Sequence, residues 1–73
     1  MQIEIEYCQV WNYLPTAASL AAELKEKYGV ESKLVPSEGG VFEVQVDEKL
    51  IFSKKQLGRF PEPNEVQSKI DTH

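Results

Sequence analysis

The sequence predicts an α/β (α+β) fold in which a four-stranded mixed sheet carries two helices, in the order β-α-β-β-β-α. Three observations support this prediction. Residues 2–8 alternate between apolar and polar side chains, as a half-buried strand does. Residues 15–28 repeat apolar side chains at helical spacing. Further short apolar segments follow, separated by turn residues, as expected for additional strands.

The first predicted strand directs its apolar side chains to one face of the sheet. Ile3, Ile5 and Tyr7 share that face, and the polar residues between them face the other way. A strand followed by a helix and a second strand favours a parallel pair with a right-handed crossover. We therefore expect residues 3–7 to form a central or near-central strand, followed by a turn over 9–14.

The predicted helix over 15–28 begins at Pro15, whose missing N–H is no loss in a first helical turn. Gly29 suits the left-handed position that often ends a helix. Glu23 and Lys27 are four residues apart, in the order that favours an ion pair. One apolar stripe contains Ala17, Leu20, Ala21, Leu24 and Tyr28.

A second strand is predicted over 30–35 and is expected to end at Pro36. Residues 37–40 form a loop, in which two adjacent glycines give the backbone room for a close neighbour. Alternation resumes over 42–46 and predicts the third strand.

The last part of the chain is predicted to hold a hairpin and a short helix. A tight turn at Asp47-Glu48 leads to a strand over 50–52, and Glu48 carries a cost if the turn is of the primed type. Residues 53–62 are predicted to be a loop. A final helix over 63–71 directs Val66 and Ile70 inward, and residues 72–73 are expected to fray.

Composition indicates one small domain over 1–73 and limits its function. The chain is 41% hydrophobic and 27% charged, which is typical of a globular protein. Its net charge of −4 argues against nucleic acid and anionic membranes as partners. It lacks a long apolar run and the features of a signal peptide, so we expect a cytoplasmic protein. The basic group of Lys54, Lys55 and Arg59 is more typical of solvated surface than of an anion site.

Cys8 is the only cysteine, and it lies where a Cys-x-x-Cys redox motif would begin. The second position of such a motif is occupied by Trp11, so no internal disulfide can form. With one Cys and with His73 at the end of the chain, no metal site is expected. From the residues alone, Cys8 is either a small buried hydrophobe or a thiol activated by the helix that follows it.

Several segments in a fixed order carry a family resemblance. They are Tyr7-Cys8-x-x-Trp11, Gly39-Gly40-Val41-Phe42-Glu43-Val44, Ser53-Lys54-Lys55 and Gly58-Arg59-Phe60-Pro61-Glu62. Over about residues 3–70 the sequence resembles the selenoprotein W family, also called the Rdx family. The resemblance implies a thioredoxin-like fold and a thiol oxidoreductase activity, linked to glutathione in some members. It implies a redox role for Cys8 alone, because Trp11 replaces the second cysteine or selenocysteine.

Two functions follow from this sequence. In the first, Cys8 is a redox thiol that exchanges with protein thiols, disulfides or glutathione, without any bound cofactor. In the second, the chain is a non-catalytic interaction module that binds a protein partner at the face of Cys8 and Trp11. For Trp11 itself, an apolar cover over the turn, an outward contact and a deliberate replacement of a reactive residue all remain open.

Both hypotheses place the site at one edge of the sheet. The first two strands are predicted to be parallel, and ligands tend to bind at the carboxyl ends of such strands. We therefore expect the Cys8 turn to lie beside the loop over 37–40. Trp11, Ser37, Gly39 and Gly40 would form the rim of the site. Bulkier residues at the two glycines should then slow the alkylation of Cys8 or weaken partner binding.

Overall fold

The computed structural model describes residues 1–72 and confirms the predicted fold class. His73 lies outside the described residues. The elements are β1 (Ile3–Cys8), α1 (Leu14–Tyr28), β2 (Ser32–Ser37), β3 (Phe42–Val46), β4 (Lys49–Ser53), α2 (Lys54–Leu57) and α3 (Glu65–Asp71).

The four strands form one mixed sheet in the order β2-β1-β3-β4. β1 is parallel to β2 and antiparallel to β3, and β3 is antiparallel to β4. The prediction of a central first strand is therefore confirmed. Its apolar face packs against the helices because Ile3, Ile5 and Tyr7 are all buried there. The other members of this core are Ala17, Leu20, Leu24, Phe42, Val44, Val46, Phe52, Val66 and Ile70.

The ends of α1 follow the sequence signals. Pro15 lies in the first turn, and Gly29 ends the helix with a φ of 69°, which favours glycine. The predicted ion pair between Glu23 and Lys27 is wrong. Lys27 Nζ instead contacts a carboxylate oxygen of Asp71 in α3, at 2.8 Å. This contact ties the C-terminal ends of the two helices together.

The predicted bounds of the second strand are wrong at both ends, because β2 spans Ser32–Ser37 and includes Pro36. Pro36 is tolerated because β2 lies at the edge of the sheet. The carbonyl of Ser37 accepts the N–H of Gln9, so Ser37 directs its backbone groups towards β1. Since backbone groups alternate along a strand, the nitrogen of Pro36 points to the open edge, where no donor is needed.

The predicted loop over 53–62 contains the short helix α2. Ser53 is its N-cap, and its Oγ accepts the N–H of Gln56 at 3.1 Å. Gly58 ends the helix with a φ of 73°. The hairpin before it uses positive φ at Asp47 and at Glu48, 50° and 71°, so the conformational cost expected there is present.

Candidate functional site

Cys8 is the last residue of β1, and the backbone of a neighbouring segment lies on each side of it. It pairs with Ser37 of β2. On the other side, its N–H donates to the carbonyl of Val41 at 2.9 Å, and the next N–H, from Gln9, donates to Ser37. The structure therefore brings the Cys8 turn and the loop over 37–40 together at the same edge of the sheet. Their functional role stays a prediction.

The Cys8 thiol is buried, with a relative exposure of 0%. The alternation of β1 directs it away from Tyr7, and it is not part of the apolar core between sheet and helices. Its Sγ accepts the backbone N–H of Trp11 at 3.4 Å. The turn after β1 thus folds back over the sulfur, so a reagent in solvent has no open path to it in this conformation.

Trp11 is 62% exposed, although part of its indole ring is packed on Gly40. A Cβ built on Gly40 would lie 2.6 Å from Cζ3 of the ring, well inside normal contact distance. Gly40 also has a φ of 72°, so both its backbone and its neighbour require glycine. Gly39 has a φ of 81°, but a Cβ there would meet nothing within 4 Å. Trp11 is therefore both a cover over the loop and an outward-facing surface.

A chain of aromatic contacts connects Trp11 to the core. The Trp11 and Tyr13 ring centroids are 6.1 Å apart, and those of Tyr13 and Phe60 are 4.7 Å apart. Phe60 in turn meets the buried Phe42 edge to face at 5.4 Å. Lys54 Nζ lies 5.5 Å from the Tyr13 ring centre and 5.4 Å from that of Phe60. This contribution of Tyr13 and Lys54 to the surface beside Trp11 could not be predicted from the sequence.

Apolar residues are exposed on both sides of Trp11 in the chain. Val10 and Leu14 flank Trp11 in the chain and are 72% and 44% exposed.

The basic group of Lys54, Lys55 and Arg59 does not act as one anion site, because Arg59 is held by Glu65 through hydrogen bonds of 2.7 and 3.1 Å. These hydrogen bonds, together with one from the backbone of Glu62, lower the pKa of the Glu65 carboxyl to about 2.

Other kinds of site have little support in the part of the chain that the structure describes. Over residues 1–72, no group of three His, Cys, Asp or Glu side chains is placed to hold a metal ion. Among those same residues, every helix is too short or too polar to span a bilayer.

Comparison with known proteins agrees with this architecture. A crystal structure of a selenoprotein W-related protein from Vibrio cholerae superposes with a TM-score of 0.90 at 34% identity, covering 97% of this chain and 92% of that one. A crystal structure of a protein from Bordetella parapertussis gives a TM-score of 0.92 at 32% identity, covering 99% and 95%.

Curated relatives include migration and invasion enhancer 1 from Bos taurus, 36% identical over 62 residues, and from Mus musculus, 32% identical over 71 residues. These alignments cover 84% and 96% of this chain but only 54% and 62% of the relatives, so the chain spans little more than half of their length. The sequence model of the Rdx family matches residues 2–72. The chain belongs to the Rdx family.

Proposed function

We propose that this chain is a non-catalytic binding module of the Rdx family, which contacts a protein partner through the turn between β1 and α1. One observation carries the proposal. The position that holds the second redox residue in the family motif is the exposed one, and here it is Trp11, whereas Cys8 is buried. A thiol that no reagent can reach cannot attack a disulfide, but an exposed indole can contact a partner directly.

The surroundings of Trp11 suit such a contact. Tryptophan is enriched among the residues that contribute most to protein interfaces. Val10 and Leu14, which flank it in the chain, are also exposed apolar residues, and the packing on Gly40 holds one side of the ring in place. A ring that is already oriented loses less conformational freedom when a partner binds, which favours affinity. Lys54, beside Tyr13, adds a positive charge at the border of this surface.

The test compares partner capture by three proteins: the unchanged chain, Trp11→Ala and Leu57→Ala. Leu57 is a matched control because it is also an exposed large apolar residue, but it lies in α2. A partner that binds the turn should be retained by the unchanged chain and by Leu57→Ala and lost with Trp11→Ala. If Trp11→Ala retains every partner that the unchanged chain retains, the proposal is wrong.

A second candidate function is single-thiol exchange at Cys8, favoured by the N–H that Trp11 donates to the sulfur. The Cys8 thiolate would attack the glutathione sulfur of a glutathionylated protein, forming a mixed disulfide with glutathione and releasing the thiolate of that protein. A further glutathione would attack the glutathione sulfur of this adduct, releasing glutathione disulfide and the Cys8 thiolate. A reducing compartment such as the cytoplasm would supply the glutathione of the second step.

The accessibility of Cys8 separates the two candidates. The folded protein and the urea-unfolded protein are each treated with glutathione disulfide, and the mixed disulfide is followed by intact mass. A binding module should react much more slowly when folded than when unfolded. Reaction of the folded protein at a rate equal to or above that of the unfolded chain would instead support exchange at Cys8.

A further inference from the structure

A second surface feature does not involve Cys8 or Trp11. It is a groove of about 290 Å³ between α1 and the segment that leads into α3. Thr16, Ser19 and Glu23 line the wall that α1 provides, and Leu20 lies between them. These four residues have the spacing of one helix face. The α1 wall is therefore a regular strip with an apolar centre and polar side chains.

The opposite wall is formed by Pro61, Pro63 and the start of α3, with Phe42 and Val66 as apolar lining residues. Proline restricts the backbone of this wall, so the groove is preformed and can bind a ligand at little conformational cost. Its volume lies at the lower end of the range for pockets that hold drug-sized ligands. It is therefore better matched to one or two side chains than to a larger molecule.

Glu23 gives the groove a negative charge that is not neutralised by a cation of residues 1–72. Its Oε1 accepts a hydrogen bond of 2.8 Å from Nε2 of Gln67, which is neutral and only 5% exposed. Its Oε2 accepts none from residues 1–72, and Lys27, four residues on, is held by Asp71. Within the same described range, Oε1 of Gln67 also lacks a hydrogen-bond donor. Two oxygen acceptors thus adjoin an apolar channel, and Glu62 adds a further carboxylate to the lining.

We propose that this groove binds the side chain of a lysine presented by a partner protein. The aliphatic part of a lysine would lie against Pro61 and Pro63, over the buried floor of the groove. Its ammonium group would contact the free oxygens of Glu23 and Gln67. An ammonium suits the site better than a guanidinium does, because one oxygen of Glu23 already accepts a hydrogen bond from Gln67, which competes with a two-bond carboxylate pair. An anionic ligand would be repelled, and a purely apolar one would leave both oxygens without a partner.

The test is a nuclear magnetic resonance titration of the ¹⁵N-labelled protein with N-acetyl-lysine N-methylamide. The uncharged control compound is N-acetyl-norleucine N-methylamide, which has the same aliphatic stem without the ammonium group. Glu23→Gln keeps the oxygen that Gln67 needs but removes the charge, and it should weaken lysine binding about ten-fold. Glu26→Gln is the matched control, since Glu26 is exposed on the same helix and does not line the groove.

A second variant tests the shape of the groove independently of its charge. Ser19→Leu leaves Glu23 in place and fills the channel, so it should also weaken binding, by about five-fold or more. Shifts should be confined to groove amides such as those of Ser19, Val66 and Gln67. The proposal is overturned if the norleucine compound binds as well as the lysine compound, or if Glu23→Gln matches Glu26→Gln. It is also overturned if the shifted amides are those of the Cys8 turn or if no amide shifts at all.

Discussion

Replacing Gly40 with alanine would put a methyl group into space that the Trp11 indole now occupies. The new Cβ would lie 2.6 Å from Cζ3, 3.0 Å from Cε3 and 3.2 Å from Cη2 of the ring. Gly39 provides a matched control, because its φ of 81° is close to the 72° of Gly40 and a Cβ there would meet nothing within 4 Å. The two substitutions share a backbone penalty and differ only in the contact with Trp11.

The shared penalty is that of a left-handed backbone, about 1–2 kcal/mol for a residue with a Cβ. A domain of 73 residues has a free energy of unfolding of roughly 4–11 kcal/mol. Each kcal/mol should lower Tm by about 4–8 °C. The clash at Gly40 adds little to this loss, because the exposed indole can rotate away for about 1 kcal/mol of lost contact. Gly40→Ala and Gly39→Ala should therefore have similar stabilities.

Fluorescence and alkylation should separate the two variants. Trp11 is the only tryptophan, so its emission reports directly on the ring. Gly40→Ala should change that emission and speed the alkylation of Cys8, because a ring that has rotated away from Gly40 no longer packs over the loop beside the turn that covers Sγ. Gly39→Ala should change neither. For Gly40 this expected result is the opposite of the slower alkylation that the sequence alone predicts. If the two variants give the same emission and the same alkylation rate, the Trp11–Gly40 contact does not hold the turn closed.

Three further predictions concern other parts of the molecule. Because the pKa of Glu65 is lowered to about 2, its ionisation stabilises the fold above the ordinary value of 4.5, and this contribution is lost as pH falls towards 2. Glu65→Gln should therefore flatten the acid side of a stability–pH curve measured by urea unfolding, and an unchanged curve would contradict this. Trp11→Cys should allow a disulfide with Cys8, seen as a loss of about two mass units on oxidation, whereas the unchanged chain should show no such loss. Ser53→Ala removes the cap of α2 and should cost about 1 kcal/mol in thermal unfolding, while Ser68→Ala, on the exposed side of α3, should cost much less.

The parts of the fold that depend on repeating burial could be predicted from the sequence. Alternation identified β1, and helical spacing identified α1, because each pattern records which side chains face the core. The bounds of β2 could not be predicted in the same way. Val30 and Glu31 connect Gly29 to the sheet and are not part of β2. Pro36 is tolerated within β2 because β2 is an edge strand. An edge position is a property of the whole sheet and not of the local sequence.

The missed helix α2 had a local signal. Ser53 is followed three residues later by Gln56, the spacing of a capping box, and Gly58 then provides a left-handed end. The candidate site had signals only in part. The sequence indicated the positions of Cys8 and of the glycine loop, but not the packing of Trp11 on Gly40. That packing depends on the distance between two loops. The distance is set by the register of the strands in the folded sheet, which the local sequence does not specify.

Under the proposed function, one substitution in the turn after β1 would change what this surface does without changing the fold. Cys8 ends a central strand and is flanked by backbone on both sides, so its sulfur is covered whenever the turn is closed. Residue 11 comes just before α1 and projects outward, and Trp11 is not one of the buried core residues. A thiol at the outer position would be the group that a substrate meets first. An indole there offers a partner only a contact surface, while the core under the sheet stays the same. Under the proposed function, the identity of residue 11 would therefore decide between exchange chemistry and binding, independently of the residues that stabilise the fold.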